Sequence, residues 1–165
     1  MEHWSLEDAL PRCVLAKTPV IIASPFNTGI LAGGSRWNHS EAPNFIKARA
    51  NNIHTVCQQH DIPTGAAALH FPRAHPQVVD VLAGAATHAQ RQQQQRWWQQ
   101  TLPTALWADL KPSGVMRADA PSPRGPAGEK RFADQPEAGR WQRLLALDTP
   151  LPGVFDDDGQ RPTLH

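Results

Sequence analysis

The residues of this chain best suited to chemistry lie in a loop that directly follows an apolar run. Residues 19–23 read Pro-Val-Ile-Ile-Ala, and the loop continues with Ser24, Pro25, Phe26, Asn27, Thr28 and Gly29. Hydroxyl and amide groups beside the backbone N–H groups of a glycine-bearing turn can bind a phosphate or diphosphate. By spacing alone, an ordinary strand-to-helix turn is the alternative interpretation, because one glycine-rich loop is a weak signal.

A second candidate site begins where another apolar stretch ends at Gly84. Thr87 follows after a turn of small residues, and a polar helix carrying Gln90 and Gln94 comes next. The unpaired N–H groups and the dipole at a helix N-terminus favour negative charge. The pattern therefore predicts an anion site, with an ordinary turn between strand and helix as the alternative.

The eight histidines raise the question of a metal site. His54 and His60 are six residues apart on one helix, and His70 and His75 flank a turn. Neither an HxxxH nor an HExxH pattern occurs. Residues 156–159 lack the spaced ligands of a calcium loop. We predict no metal site and interpret the histidines as surface or packed side chains.

Two strands are predicted to hold the candidate loops. Residues 19–23 favour a fully buried strand, and residues 77–83 are β-branched and apolar enough for a second one. Between them, residues 43–60 predict a helix with a core-facing stripe of Ile46, Ala50, Ile53 and Cys57. This order predicts an α/β protein in which the two strands are neighbours, parallel and joined by a right-handed crossover.

Four further helices are predicted. A short one begins with Ser5 as its N-cap and is interrupted by Pro11. The others are residues 65–71 capped by Thr64, residues 88–98 and residues 103–111. For the glutamine run within residues 88–98, low-complexity disorder is the alternative. Residues 35–42 are predicted to form a polar loop.

Composition limits the class of protein. The chain has 165 residues, 40% of them hydrophobic, and a formal net charge of +1. It therefore offers no electrostatic basis for binding nucleic acid or an anionic membrane. No apolar run approaches the ~20 residues of a membrane span. Cys13 and Cys57 lack CxxC spacing, so we predict buried free thiols in a cytoplasmic protein.

The chain is predicted to divide near residue 120. Residues 1–120 carry the elements above, whereas residues 121–165 begin with a linker rich in proline and glycine. The rest of that segment is predicted to be poorly ordered, with at most one helix over residues 137–147.

The apolar run and its loop resemble the seventh strand and following loop of the aldo/keto reductases. Four segments are similar to the aldose 1-dehydrogenase branch of D-threo-aldose, L-fucose or galactose type. They are the sequence Ser-Pro-Phe-Asn-Thr-Gly-Ile-Leu-Ala-Gly and residues 55–63, 66–76 and 102–111. The resemblance covers about residues 6–123. It implies the C-terminal portion of a (β/α)₈ TIM barrel, with strands 7 and 8 and their helices, followed by a largely irregular tail. A complete barrel needs about 250 residues.

The same resemblance implies a cofactor, NAD or NADP. It assigns cofactor contact in the first loop to Ser24, Phe26, Asn27, Thr28, Gly29 and Leu31, and in the second segment to Gly84, Thr87, Gln90 and Gln94. Ala86 stands where the family has a basic residue, which favours NAD over NADP.

Catalysis in this family uses a tyrosine with a neighbouring lysine, aspartate and histidine. The chain contains no tyrosine, and none of its residues matches the other three roles. We therefore expect part of an oxidoreductase for aldoses or similar aldehydes, inactive alone, weak or lacking in cofactor binding, and prone to self-association. A non-catalytic nucleotide-binding or protein-interaction half-barrel is the main alternative, and a helical scaffold without a ligand is a third.

Overall fold

A computed structural model of the chain describes residues 6–123. In this range the helices are α1 (Ala9–Leu15), α2 (Asn44–Gln59), α3 (Thr64–His70), α4 (His88–Gln99) and α5 (Thr104–Leu110). The strands are β1 (Val20–Ala23), β2 (Arg36–Trp37), β3 (Ser40–Glu41) and β4 (Val78–Leu82). The predictions for the linker and tail from residue 124, for a helix over residues 137–147 and for residues 156–159 lie outside the described residues.

The two predicted main strands are confirmed as parallel neighbours. β1 pairs with β4, with Ile22 opposite Val81 and Ala23 opposite Leu82. The carboxyl ends of both strands therefore lie at the same edge of the sheet. Helices α2 and α3 occupy the chain between the two strands, so the protein is of the α/β class.

The prediction that residues 19–23 form a fully buried strand is wrong. Burial alternates along β1, and Ile21 is 51% exposed. On β4, Leu82 is 65% exposed, while Val81 is partly buried against the core. Parallel sheets are normally covered on both faces. Here only the face carrying Ile22 and Val81 is packed, because the described helices supply a single layer.

The core lies among α2, α3 and α5. The predicted stripe of α2 faces inward, with Ile53 and Cys57 almost completely buried. Three successive alanines of α3 are buried and permit close helix packing. Leu106, Trp107 and Leu110 of α5 complete the cluster. These contacts join the three helices, and Val81 of β4 packs partly buried against the same cluster.

Three local predictions need correction. Helix α1 begins at Ala9 and includes Pro11, because the first turn of a helix needs no intrahelical N–H donor. Thr64 is the first residue of α3 and not its cap; its hydroxyl contacts His54 Nδ1 at 3.1 Å instead. The loop at 35–42 contains the antiparallel pair of β2 and β3.

Helix α4 is a solvated helix over the glutamine run and not a disordered segment. It has no fully buried residue, and its two tryptophans attach its end to the rest of the protein. Trp97 packs partly against the core, and Arg73 lies 4.5 Å over the ring of Trp98. Across residues 6–123, no helix has the length and apolar character needed to cross a membrane.

Candidate functional site

The two candidate loops leave the same edge of the β1–β4 sheet. The backbone N–H of Ser24 donates to the carbonyl oxygen of Leu82 at 3.1 Å, directly beyond the last strand pair. Farther along, the ring of Phe26 meets that of Trp97 edge-on at 5.9 Å between centroids. The first loop is therefore joined to β4 by a backbone hydrogen bond and to helix α4 by a ring contact.

The first loop turns sharply through left-handed backbone conformations. Ser24, Asn27 and Thr28 have φ values of 56°, 44° and 60°, and Gly29 follows at 105°. Inside the turn, Gly29 and Leu31 both donate their N–H groups to the carbonyl of Phe26. Because these N–H groups are already used, hydroxyl groups become the main candidates for phosphate contact.

The side chains of Asn27 and Thr28 hold the connection between β2 and β3. Asn27 Oδ1 accepts from the N–H of Asn38, and Thr28 Oγ1 accepts from the N–H of His39, both at 3.1 Å. These bonds fix the tip of the β2–β3 hairpin over the loop. A hydroxyl that accepts one hydrogen bond still has its own proton to donate.

Phe26 and Leu31 have mainly structural side chains. Both are 8% exposed and belong to the core cluster. Leu31 also forms part of a cavity wall, whereas Phe26 packs against Trp97. A polar ligand would meet the backbone of Phe26 sooner than its ring.

The second candidate site is closed by its own side chains. Gln90 Oε1 accepts from the N–H groups of Ala86 at 2.8 Å and Thr87 at 3.3 Å, while Thr87 Oγ1 accepts from the N–H of Gln90. This reciprocal capping box satisfies the N-terminus of α4. Gln94 Nε2 donates to the carbonyl of Gly84 at 2.8 Å. Of the N–H groups around the start of this helix, those of Ala86, Thr87 and Gln90 are thus bonded within the chain.

A cavity of about 360 Å³ lies beside the first loop. It extends from Ser24 and Thr28 at the carboxyl end of β1 to His75 and Val78 at the opposite end of β4. Its wall does not include the second candidate segment, so the structure places that segment at the same sheet edge but outside this cavity. Among the described residues no Asp, Glu, Lys or Arg lines it.

Backbone strain is concentrated at this cavity. In the described range, seven non-glycine residues have positive φ, and five of them line the cavity: Ser24, Asn27, Thr28, Asn38 and His39. The left-handed conformation costs an L-residue about 1 kcal/mol or more. Such costs persist where the surrounding structure fixes the loop, and they accumulate at functional sites.

His75 is a cavity residue that sequence patterns did not identify as a ligand-binding group. Its Nδ1 accepts from the N–H of Gln77 at 3.3 Å. Burial lowers the pKa of the His75 imidazole, because the charged form is poorly solvated there. The ring is therefore neutral near pH 7 and carries its proton on Nε2. Only its position before β4 would have indicated this role, since no local motif marks it.

Within residues 6–123, no three His, Cys, Asp or Glu side chains lie close enough together to hold a metal ion. His60 instead contacts the carboxylate of Asp109 at 2.8 Å, and His70 Nε2 donates to the carbonyl of Trp97 at 3.0 Å. These histidines join helices to one another.

Comparison with known proteins relates the chain to two dehydrogenases. It is 32% identical over 120 residues to a pyridoxal 4-dehydrogenase of Microbacterium luteolum, which covers 70% of this chain and 35% of the relative. It is 31% identical over 115 residues to a D-threo-aldose 1-dehydrogenase of a Pseudomonas species, covering 67% of this chain and 35% of the relative. The chain thus spans about a third of the length of these relatives. No family model matches it.

Proposed function

We propose, from the relationship of this chain to the aldose dehydrogenases of the aldo/keto reductase family, that it forms the dinucleotide-contacting part of an NAD(P)-dependent oxidoreductase. The observation that carries the proposal is the adjacency of two loops with family-like sequences at one edge of a parallel sheet. Ligands of α/β proteins bind at the carboxyl edge of parallel strands. In this proposal β1 and β4 are strands 7 and 8 of a (β/α)₈ barrel.

Hydroxyl groups of the first loop fit a diphosphate. The Ser24 hydroxyl makes no hydrogen bond within residues 6–123, and Thr28 keeps its hydroxyl proton while accepting from His39. Both side chains can therefore donate to phosphate oxygens. The loop offers no positive charge of its own, so these contacts support weak binding and not tight binding.

The second segment fits the adenine ring through amide groups left over from the capping box. Gln90 uses Oε1 internally and Gln94 uses Nε2, which leaves the Gln90 Nε2 donor and the Gln94 Oε1 acceptor. Adenine presents an N7 acceptor beside an N6 amino donor. The two glutamines thus have the complementary groups for that edge.

NAD is the preferred cofactor in this proposal. Ala86 occupies the position at which the family carries a basic residue, and its N–H is already bound to Gln90 Oε1. A 2′-phosphate would meet neither a cation nor a free donor there. An uncompensated phosphate dianion is costly to bind, which favours NAD over NADP.

We propose that the chain alone does not catalyse the reaction. The family uses tyrosine as proton donor, and this sequence has none. Loss of general acid–base catalysis typically costs about 10²–10⁴-fold in rate. If this chain were combined with the rest of an active site, the substrate would be an aldose oxidised at C1 or a similar aldehyde. This class is consistent with the names of the two relatives.

A non-catalytic interaction role is the second candidate. The exposed sheet face with Ile21 and Leu82 favours it, because a parallel sheet with one open face presents an association surface. Under this alternative the open face is the functional feature and the loops serve as structure.

Nucleotide binding by the purified chain tests the main proposal. Saturation-transfer NMR should show that NAD binds with a Kd on the order of 1 mM. Saturation should pass mainly to the adenosine protons of the nucleotide. Ser24→Ala should weaken it about fivefold, the worth of one hydrogen bond. Ser40→Ala, on the exposed β3 strand, is the matched control. Equal NAD affinity of both variants, or no saturation transfer from the folded protein to NAD, would contradict the binding proposal. Robust aldose oxidation by the purified chain would contradict the proposal that it is inactive alone.

A further inference from the structure

The cavity beside β1 has a chemical character that the dinucleotide proposal does not use. Its lower part is apolar, formed by Leu6, Leu10, Ile22, Phe71 and Val78. This part lies on the packed side of the sheet, below the loop at Ser24–Thr28. It therefore adjoins the hydroxyl groups assigned to the diphosphate without being formed by them.

The absence of charged side chains from the described wall determines what the cavity accepts. A buried anion or cation without a partner is strongly disfavoured, whereas an uncharged ring gains from removal of its apolar surface from water. A volume of about 360 Å³ lies in the range of small-molecule sites. The wall thus selects an uncharged molecule of modest size.

His75 supplies a directional group at the far end of this cavity. Because Nδ1 accepts from Gln77, the neutral ring carries its proton on Nε2, and that atom has no hydrogen-bond partner within residues 6–123. An N–H donor in apolar surroundings prefers a carbonyl or hydroxyl oxygen. Protonation of the ring is opposed by burial, so the donor is a neutral one.

We propose that this cavity is a second ligand site, which binds a small uncharged aromatic aldehyde, ketone or alcohol whose oxygen accepts from His75 Nε2. The aromatic ring packs among Leu10, Phe71 and Val78, and the strained loop lines the upper end. Ser24 and Thr28 line the upper end of the same cavity, but the contacts proposed here use its apolar part and His75, so the site would persist if the dinucleotide proposal failed.

Three probes separate the contributions to binding. Acetophenone carries the ring and the carbonyl acceptor, ethylbenzene lacks the acceptor, and benzoate adds a negative charge. With ¹⁵N-labelled protein and no nucleotide, acetophenone should shift the resonances of His75 and Val78 with a Kd on the order of 1 mM. Ethylbenzene should bind about fivefold more weakly, and benzoate should not bind.

Two substitutions locate the site. Ala68 lines the cavity, so Ala68→Leu should fill it and abolish acetophenone binding. Ala48→Leu, on the exposed face of α2, is the matched control and should leave binding unchanged. His75→Leu should remove the preference for acetophenone over ethylbenzene while retaining binding of both.

The outcomes are distinct. Loss of binding in Ala68→Leu together with an equalised preference in His75→Leu supports the site and the role of Nε2. Unchanged binding in a folded Ala68→Leu variant, tight binding of benzoate, or no shift at His75 with the wild-type chain would overturn the proposal. If Ala68→Leu does not fold, the His75→Leu comparison and the wild-type shifts still decide it.

Discussion

Trp97 lies so close to Gly65 that no side chain fits between them. A Cβ atom built on Gly65 would overlap the six-membered ring of Trp97 and come within 2.8 Å of its Cε3 atom. Gly65 is in the first turn of α3 and Trp97 near the end of α4. The glycine therefore sets the distance between the two helices, and through Phe26 this contact also supports the first loop.

Gly65→Ala should destabilise the protein in spite of the better helix propensity of alanine. Propensity favours alanine by up to about 1 kcal/mol, whereas overpacking costs about 1–3 kcal/mol, so the net change is a loss. Urea unfolding measures it. Gly84→Ala is the matched control, because nothing lies within 4 Å of its added Cβ. Equal free energies of unfolding for the two variants would show that α4 can shift away from α3 without loss of stability.

Gln90→Ala should weaken the start of α4. The substitution leaves the N–H groups of Ala86 and Thr87 without their acceptor and should cost about 1 kcal/mol. Thermal unfolding followed by circular dichroism measures the loss. Gln93→Ala, on the exposed side of the same helix, should have little effect. A larger loss for Gln93→Ala would contradict the capping box.

Cys57 should make stability fall with pH above its ordinary titration range. Burial raises the pKa of its thiol from 9.0 to about 11. Between these values the unfolded chain releases the proton and the native chain keeps it. The free energy of unfolding is therefore undiminished by this thiol below pH 9. It falls as the pH rises towards 11, at about 1.4 kcal/mol per pH unit.

Cys57→Ala isolates this effect. Urea unfolding of wild type and variant at pH 8 and pH 10.5 should show the wild type losing more free energy of unfolding. Cys13→Ala, at a half-buried free thiol, should follow the wild-type profile. Parallel pH profiles for wild type and Cys57→Ala would rule out a buried thiol that titrates on unfolding.

Charged substitutions on the open sheet face should reduce self-association. Ile21 and Leu82 are exposed apolar residues of the β1–β4 sheet. Burying one such side chain is worth about 1.5–3 kcal/mol, so Leu82→Lys or Ile21→Lys should weaken association tenfold or more. Sedimentation velocity measures it. Leu15→Lys on α1 tests exposed apolar surface away from the sheet, and the same reduction there would show that association is non-specific.

Periodicity predicted most of the secondary structure correctly. The spacing of Ile46, Ala50, Ile53 and Cys57 identified α2 and its buried face, because a helix repeats every 3.6 residues whatever surrounds it. The order of strands and helices predicted the parallel pairing of β1 with β4. Thr87 and Gln90 also had capping-box spacing, which the sequence-based interpretation did not use.

Burial and site geometry could not be predicted in this way. The apolar run at 20–23 resembles a strand covered on both faces, yet Ile21 is exposed, because coverage depends on how many layers pack around a sheet. Asn27 and Thr28 are suited to phosphate by residue type, but their acceptor atoms hold Asn38 and His39. Each of these contacts joins residues distant in sequence.

The sequence by itself determined which segments become helices and strands, the order of the two sheet strands and the relationship to dehydrogenases, because these depend on local spacing and residue identity. Only the tertiary structure decided which hydrogen-bonding groups remain for a ligand and where a cavity forms. His75 lines that cavity because the chain turns there to enter β4. Position 65 must be glycine because the indole of Trp97, 32 positions away, leaves no room for a side chain. Such relationships arise from packing between elements, which no local pattern records.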